Sequence, residues 1–135
     1  MHRYANALAA TLILMAVPAA AQHYPLVGDW FSTFMDPRGI TNSLLHAQFR
    51  NDGQLVVQMS VSGQGGSGQM TALSRYRITG PNSYSATVLE YQPSSAPPFL
   101  GSPGQTADCT FQFESAIVMD VACGGNSPTR YTRQD

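Results

Sequence analysis

Few residues in this sequence could do chemistry, and their spacing argues against catalysis. Beyond residue 21 the histidines are His23 and His46. The first sits ahead of the first predicted strand and the second on a polar strand face, so a three-histidine zinc site cannot be assembled. The acids Asp29, Asp36, Asp52, Glu90, Asp108, Glu114 and Asp120 are scattered, and no nucleophile elbow accompanies them. Glu90 is the acid whose burial depends on register, because one form of the hairpin at Gly80 turns it inward. The chain has no lysine, which removes Schiff-base chemistry, a phosphate-loop lysine and Ser–Lys dyads. Cys109 and Cys123 lack CxxC spacing and have no histidine nearby, so they read as one disulfide rather than a metal pair. The expectation is a protein that binds or builds rather than an enzyme, with no cofactor and no metal.

The compartment is written in the first 21 residues. Arg3, an apolar run from Ala7 to Val17 and the small residues Ala19-Ala20-Ala21 form the pattern that a signal peptidase reads. The run falls short of the ~20 residues that span a bilayer, so no permanent membrane anchor is expected. No cysteine follows it for acylation. The chain from Gln22 to Asp135 is then expected free in the periplasm or medium, where a disulfide persists. A net charge of −1 offers no basic surface for nucleic acid.

The elements that would position any site are strands. Along residues 22–135, a length that suits one domain, apolar residues alternate with period two. Turn residues punctuate the pattern every ten or so positions. About eight strands result: "GDWFSTFMD", "SLLHAQFR", "QLVVQMSVS", "MTALSRYRIT", "SYSATVLEYQ", "CTFQFES", "IVMDVAC" and "TRYTRQ". Short turns at "DPRGI", "NDG", "GPN" and Ser115-Ala116 join consecutive strands as hairpins. The fold class is therefore all-β, an antiparallel up-and-down barrel of about eight strands, since closure removes the edges of a meander.

Two hairpins fix their own register. Closing on Asn51-Asp52-Gly53 sets Phe49 against Leu55, Ala47 against Val57 and Leu45 against Met59, so one face is apolar throughout. Setting Cys109 opposite Cys123 places Phe111 against Val121 and Phe113 against Met119. Disulfide and core pattern demand the same pairing. At "ITGPNSY" a two-residue and a three-residue turn put Tyr84 and Val88 on opposite faces, and both remain open. The inward set is Leu45, Ala47, Phe49, Leu55, Val57, Met59, Val61, Phe111, Phe113, Met119 and Val121, as a filled core or as the wall of a cavity.

Gly28-Asp29-Trp30 opening the first strand, an antiparallel meander, and a last strand carrying Arg130 and Arg133 together resemble the lipocalin-like, or calycin, barrel of bacterial secreted type. The resemblance implies that Gly28 and Trp30 belong to the closed end and that a last-strand arginine, Arg130 or Arg133, packs across the indole as a cation–π partner. It implies a binding protein for a small apolar molecule. Small periplasmic inhibitors of secreted metalloproteases are also similar: exported eight-stranded barrels with a Gly-x-Trp first strand and one disulfide. That likeness would make a secreted protease the partner and Gln22-His23-Tyr24-Pro25-Leu26 the inhibitory segment. A structural envelope role without a ligand is a third reading.

Two loops stand out. "GQGGSGQ", residues 63–69, reads as a flexible connector. "PSSAPPFLGSPGQTAD", residues 93–108, is longer and proline-restricted, and Phe99-Leu100 gives it an apolar tip. Phe99 either folds back on the barrel or serves as a lid. The second option predicts an open end away from Trp30, where a ligand enters among Phe49, Tyr76, Phe99 and Leu100, with the Tyr76 hydroxyl orienting it.

Overall fold

The computed structural model describes residues 24–35, 41–63 and 66–134; the signal-peptide expectation for residues 1–21 lies outside them. Among the described residues eight strands follow one another without a helix: β1 (Gly28–Met35), β2 (Thr41–Phe49), β3 (Gln54–Gly63), β4 (Gly66–Gly80), β5 (Ser83–Gln92), β6 (Thr106–Ser115), β7 (Val118–Cys123) and β8 (Thr129–Arg133). Each pairs antiparallel with the next, and β8 returns to β1 to close the barrel. The fold is thus an up-and-down, eight-stranded closed barrel.

Both registers predicted from alternation are present. Phe49 lies opposite Leu55, Ala47 opposite Val57 and Leu45 opposite Met59. Cys109 faces Cys123 with Phe111 on Val121 and Phe113 on Met119, and the two cysteines are bonded. A bridge of this kind suits a non-reducing compartment. The inward rows build one core around Trp30 and Met119, both fully buried, with Met59 packed against it at partial exposure.

The ambiguous hairpin turns on two residues, Pro81 and Asn82, between Gly80 and Ser83. The register shifts between Ile78 and Gly80, so Thr79 is an extra residue and Tyr84 pairs with Ile78. Tyr84 and Val88 are both buried. A second shift, between Leu73 and Ser74 on β4, leaves Leu89 unpaired on β5. A bulge of one residue reverses the alternation beyond it. Glu90 accordingly faces out and is exposed, while Tyr91 returns to the core.

The glycine stretch departs from the flexible connector expected over 63–69. β4 begins at Gly66, and Ser67, Gly68 and Gln69 pair with Ser62, Val61 and Ser60. Ladder bonds use main-chain groups alone, so small side chains do not prevent pairing. The positive φ of Gly66, 108°, is a conformation that glycine adopts at no steric cost.

Candidate functional site

The two barrel ends are built differently. At the end where β1 begins, Trp30 fills the cross-section, and its Nε1–H donates to the Leu26 carbonyl at 2.9 Å. The Arg133 guanidinium lies 4.3 Å from the indole centroid. It donates through Nη1 to the Val27 carbonyl at 2.9 Å and through Nη2 to that of Pro25. Gly28 makes this possible: its φ is 143°, and a Cβ there would run into Arg133 Nη1. The strand before the tryptophan must therefore be bare for the arginine to lie flat. Tyr24 completes the plug by meeting Phe113 edge-on at 5.5 Å.

Of the two candidate arginines, Arg133 takes the position over Trp30, with which it pairs across β1 and β8. Arg130 has the opposite parity. It lies on the outer surface, bridged to Asp120 at 3.0 Å and to Glu114. Those carboxylates hold its guanidinium even further above its ordinary pKa.

From the plug toward the opposite end the barrel encloses a cavity of about 240 Å³. Its wall is mostly apolar: Leu45, Ala47, Phe49, Leu55, Val57, Ala86, Val88, Ala107 and Val121, with the disulfide of Cys109 and Cys123. Polar groups are few. Ser74, Tyr84 and Tyr131 stand in the wall, and Asn126, Ser127 and Thr129 lie toward the β7–β8 connection. None of the lining residues carries a charge at neutral pH. Burial pushes the Tyr84 phenol well above its ordinary pKa, with the nearby Tyr131 adding to the effect; burial alone raises Tyr131.

The four residues expected to meet a ligand are not brought together. Phe49 lines the cavity, and Leu100, 42% exposed, reaches its rim from the proline-rich loop. Phe99 turns aside and packs on Tyr91 with ring centroids 5.5 Å apart. This is the fold-back arrangement, fastened by the Tyr91 hydroxyl, which donates to the Gly101 carbonyl at 2.5 Å. Tyr76 lies outside the cavity, by the N-terminal segment, in a separate cleft with Tyr24, Leu26 and Phe113. Its hydroxyl donates to the Arg50 carbonyl at 2.6 Å, and its ring meets Phe49 edge-on at 5.1 Å. The loop itself is where topology put it, at the end opposite Trp30, where β3 ends at Gly63 and β4 begins at Gly66.

Sequence reasoning missed Tyr84 and Tyr131 as wall residues. Tyr84 was hidden by the undecided hairpin. Tyr131 was legible only once Arg133 faced inward, because residues two apart on a strand share a face.

Elsewhere, a wider depression of about 950 Å³ is lined by residues of β1, β2, β3 and β4. Thr33, Asn42, Ser43, Ser60, Ser62 and Gln69 line much of it, and it is open to solvent with no charged group. On the outer face His46 Nε2 contacts Asp29 at 2.8 Å, and its ring stacks on Phe31 at 4.4 Å. No hydroxyl is hydrogen-bonded to it among the described residues. No group of three or more metal-ligating side chains occurs among the described residues either.

Neither a protein-family model, a curated protein nor a solved structure matches this chain. The architecture itself, a closed eight-stranded antiparallel barrel in chain order, is consistent with a calycin-like fold.

Proposed function

We propose that this is an exported, lipocalin-like binding protein that holds a small, largely apolar molecule inside its barrel. The observation that carries the reading is the barrel's interior cavity of about 240 Å³ with its uncharged wall. An apolar cavity of about 150 Å³ accommodates benzene, which sets the scale at roughly ten non-hydrogen atoms here. Ligand pockets for larger molecules run from about 300 Å³ upward, so a retinoid or long-chain lipid is too large for the cavity as it stands. The protease-inhibitor reading needs the segment before β1 to project, whereas Leu26 is buried and Arg133 grips the carbonyls of Pro25 and Val27.

Titration calorimetry with cumene, a compact hydrocarbon, tests the reading. Wild type should bind it more tightly than millimolar. Ala86→Leu, which adds bulk to the wall, should abolish binding while the protein still melts cooperatively. No binding to wild type, or equal binding to both proteins, overturns the reading. Native mass spectrometry of protein purified from its own compartment would then show whether a small molecule or another chain travels with it.

A further inference from the structure

Four strand tyrosines have their rings in or against the core: Tyr76, Tyr84, Tyr91 and Tyr131. Two of them spend their hydroxyls on the protein itself. Tyr76 donates to the Arg50 carbonyl; Tyr91 donates to that of Gly101 and accepts from the Leu100 amide at 3.1 Å. Both lie outside the cavity wall. The hydroxyls of the two that line it, Tyr84 and Tyr131, make no hydrogen bond to any described residue.

That division has a physical meaning. Burying a hydroxyl without a partner is unfavourable, and Tyr84 is only 5% exposed. Phenylalanine fills equivalent core positions at Phe49, Phe111 and Phe113 without that cost. Tyr84 packs on two of them, with ring centroids 5.3 Å from Phe49 and 6.0 Å from Phe111. Nothing in the packing requires its oxygen.

We propose that Tyr84 and Tyr131 are paired hydrogen-bond donors for an acceptor oxygen of the cavity's ligand, and that this ligand is a compact, neutral, mostly apolar carbonyl compound. The inference rests on the cavity being a binding site and adds what it selects. Neutrality follows from the wall. With no cationic side chain lining the cavity, a carboxylate would be stripped of water and left without a counter-charge. With no acid there, an ammonium group fares no better. The phenols are available as donors because an ordinary tyrosine, with a pKa of about 10, is already protonated at neutral pH, and burial only raises both further. Ser74, buried in the same wall, offers a third hydroxyl to a second oxygen.

Three probes of similar size separate the possibilities: acetophenone, which carries a carbonyl; cumene, which replaces it with methyl groups; and benzoate, which carries a charge. Each is titrated calorimetrically against wild type, Tyr84→Phe, Tyr131→Phe and the double variant. Acetophenone should bind wild type up to about tenfold more tightly than cumene, the increment of one net hydrogen bond, and benzoate should bind most weakly. The double variant should lose the acetophenone advantage while its cumene affinity is unchanged. If cumene binds wild type as well as acetophenone does, or the advantage survives in the double variant, the donor pair is overturned and the apolar cavity stands. If benzoate binds best, the neutral class is wrong. Failure of all three to bind wild type removes the binding site and this inference with it.

Discussion

The guanidinium of Arg133 lies over the indole of Trp30, 4.3 Å from its centroid, and joins the last strand to the first at the plugged end of the barrel. Trp30 should therefore emit at a blue-shifted wavelength in the native protein and shift red on unfolding. Trp30→Ala should lose about 3–5 kcal/mol, as large aromatic deletions in cores do. Arg133→Met keeps much of the stem but loses the cation–π contact and two carbonyl partners, and should cost about 1–3 kcal/mol. Native emission resembling free tryptophan would rule out the plug.

Gly28 and Arg133 should be energetically coupled. Gly28→Ala places a methyl group where Nη1 lies and strains a backbone at positive φ, a strain of about 1–3 kcal/mol before the arginine is displaced. Once Arg133→Ala has removed the guanidinium, only the backbone strain remains. Denaturant unfolding of both single variants and the double variant should give a sum larger than the double loss. Strict additivity would contradict the steric explanation.

The bridge between Cys109 and Cys123 closes a hairpin with a sequence separation of 14. Chain-entropy arguments value such a loop at ~3 kcal/mol. Replacing both cysteines with alanine should lower the melting temperature while leaving the barrel's far-ultraviolet spectrum intact. Free thiol in the unfolded, unreduced protein after native export would refute the bridge.

Tyr84 and Tyr131 also link stability to pH. Their pKa values are raised in the folded state, chiefly by burial, so the unfolded chain releases its protons first. Stability from this source is fully present below the unfolded value of about 10 and declines as pH rises above it. Tyr84→Phe and Tyr131→Phe should each flatten that alkaline decline. At neutral pH they should leave stability equal or raise it by about 1 kcal/mol, because an unpartnered hydroxyl is removed. Tyr91→Phe should lower stability by about 1 kcal/mol through loss of its bond to Gly101. The opposite ranking in thermal melts would show that the cavity phenols are satisfied in some other way.

Much of this architecture was legible in the residues. Phe49, Ala47 and Leu45 found their partners because an apolar face tolerates no slip, and Cys109 and Cys123 fixed a second hairpin independently. The illegible parts trace to single residues. Thr79 adds one position beside a turn whose Gly80 and Pro81 mark the reversal but not the extra residue, and Leu89 adds another with no glycine or proline beside it, so the facing of Tyr84 and Glu90 could not be read. The choice between Arg130 and Arg133 depended on how β8 docks on β7, which no turn of fixed length specifies. Tyr76 was misplaced for a different reason. Alternation gives the face a residue occupies but not its height along the barrel axis, which strand tilt and stagger decide.

Seven of the eight strand pairings join neighbours in the sequence; the seam between β1 and β8 alone does not. Across it, Arg133 and Val27 are 106 residues apart. Each hairpin can form as soon as its two strands exist, at small loop-closure cost, whereas the seam must wait for the whole meander. Closure should then follow the rate-limiting step. Arg133→Met would quicken unfolding and leave the refolding rate nearly unchanged. The arginine at the plug should then act as a latch rather than a nucleus, setting the lifetime of the closed barrel more than the speed of its formation.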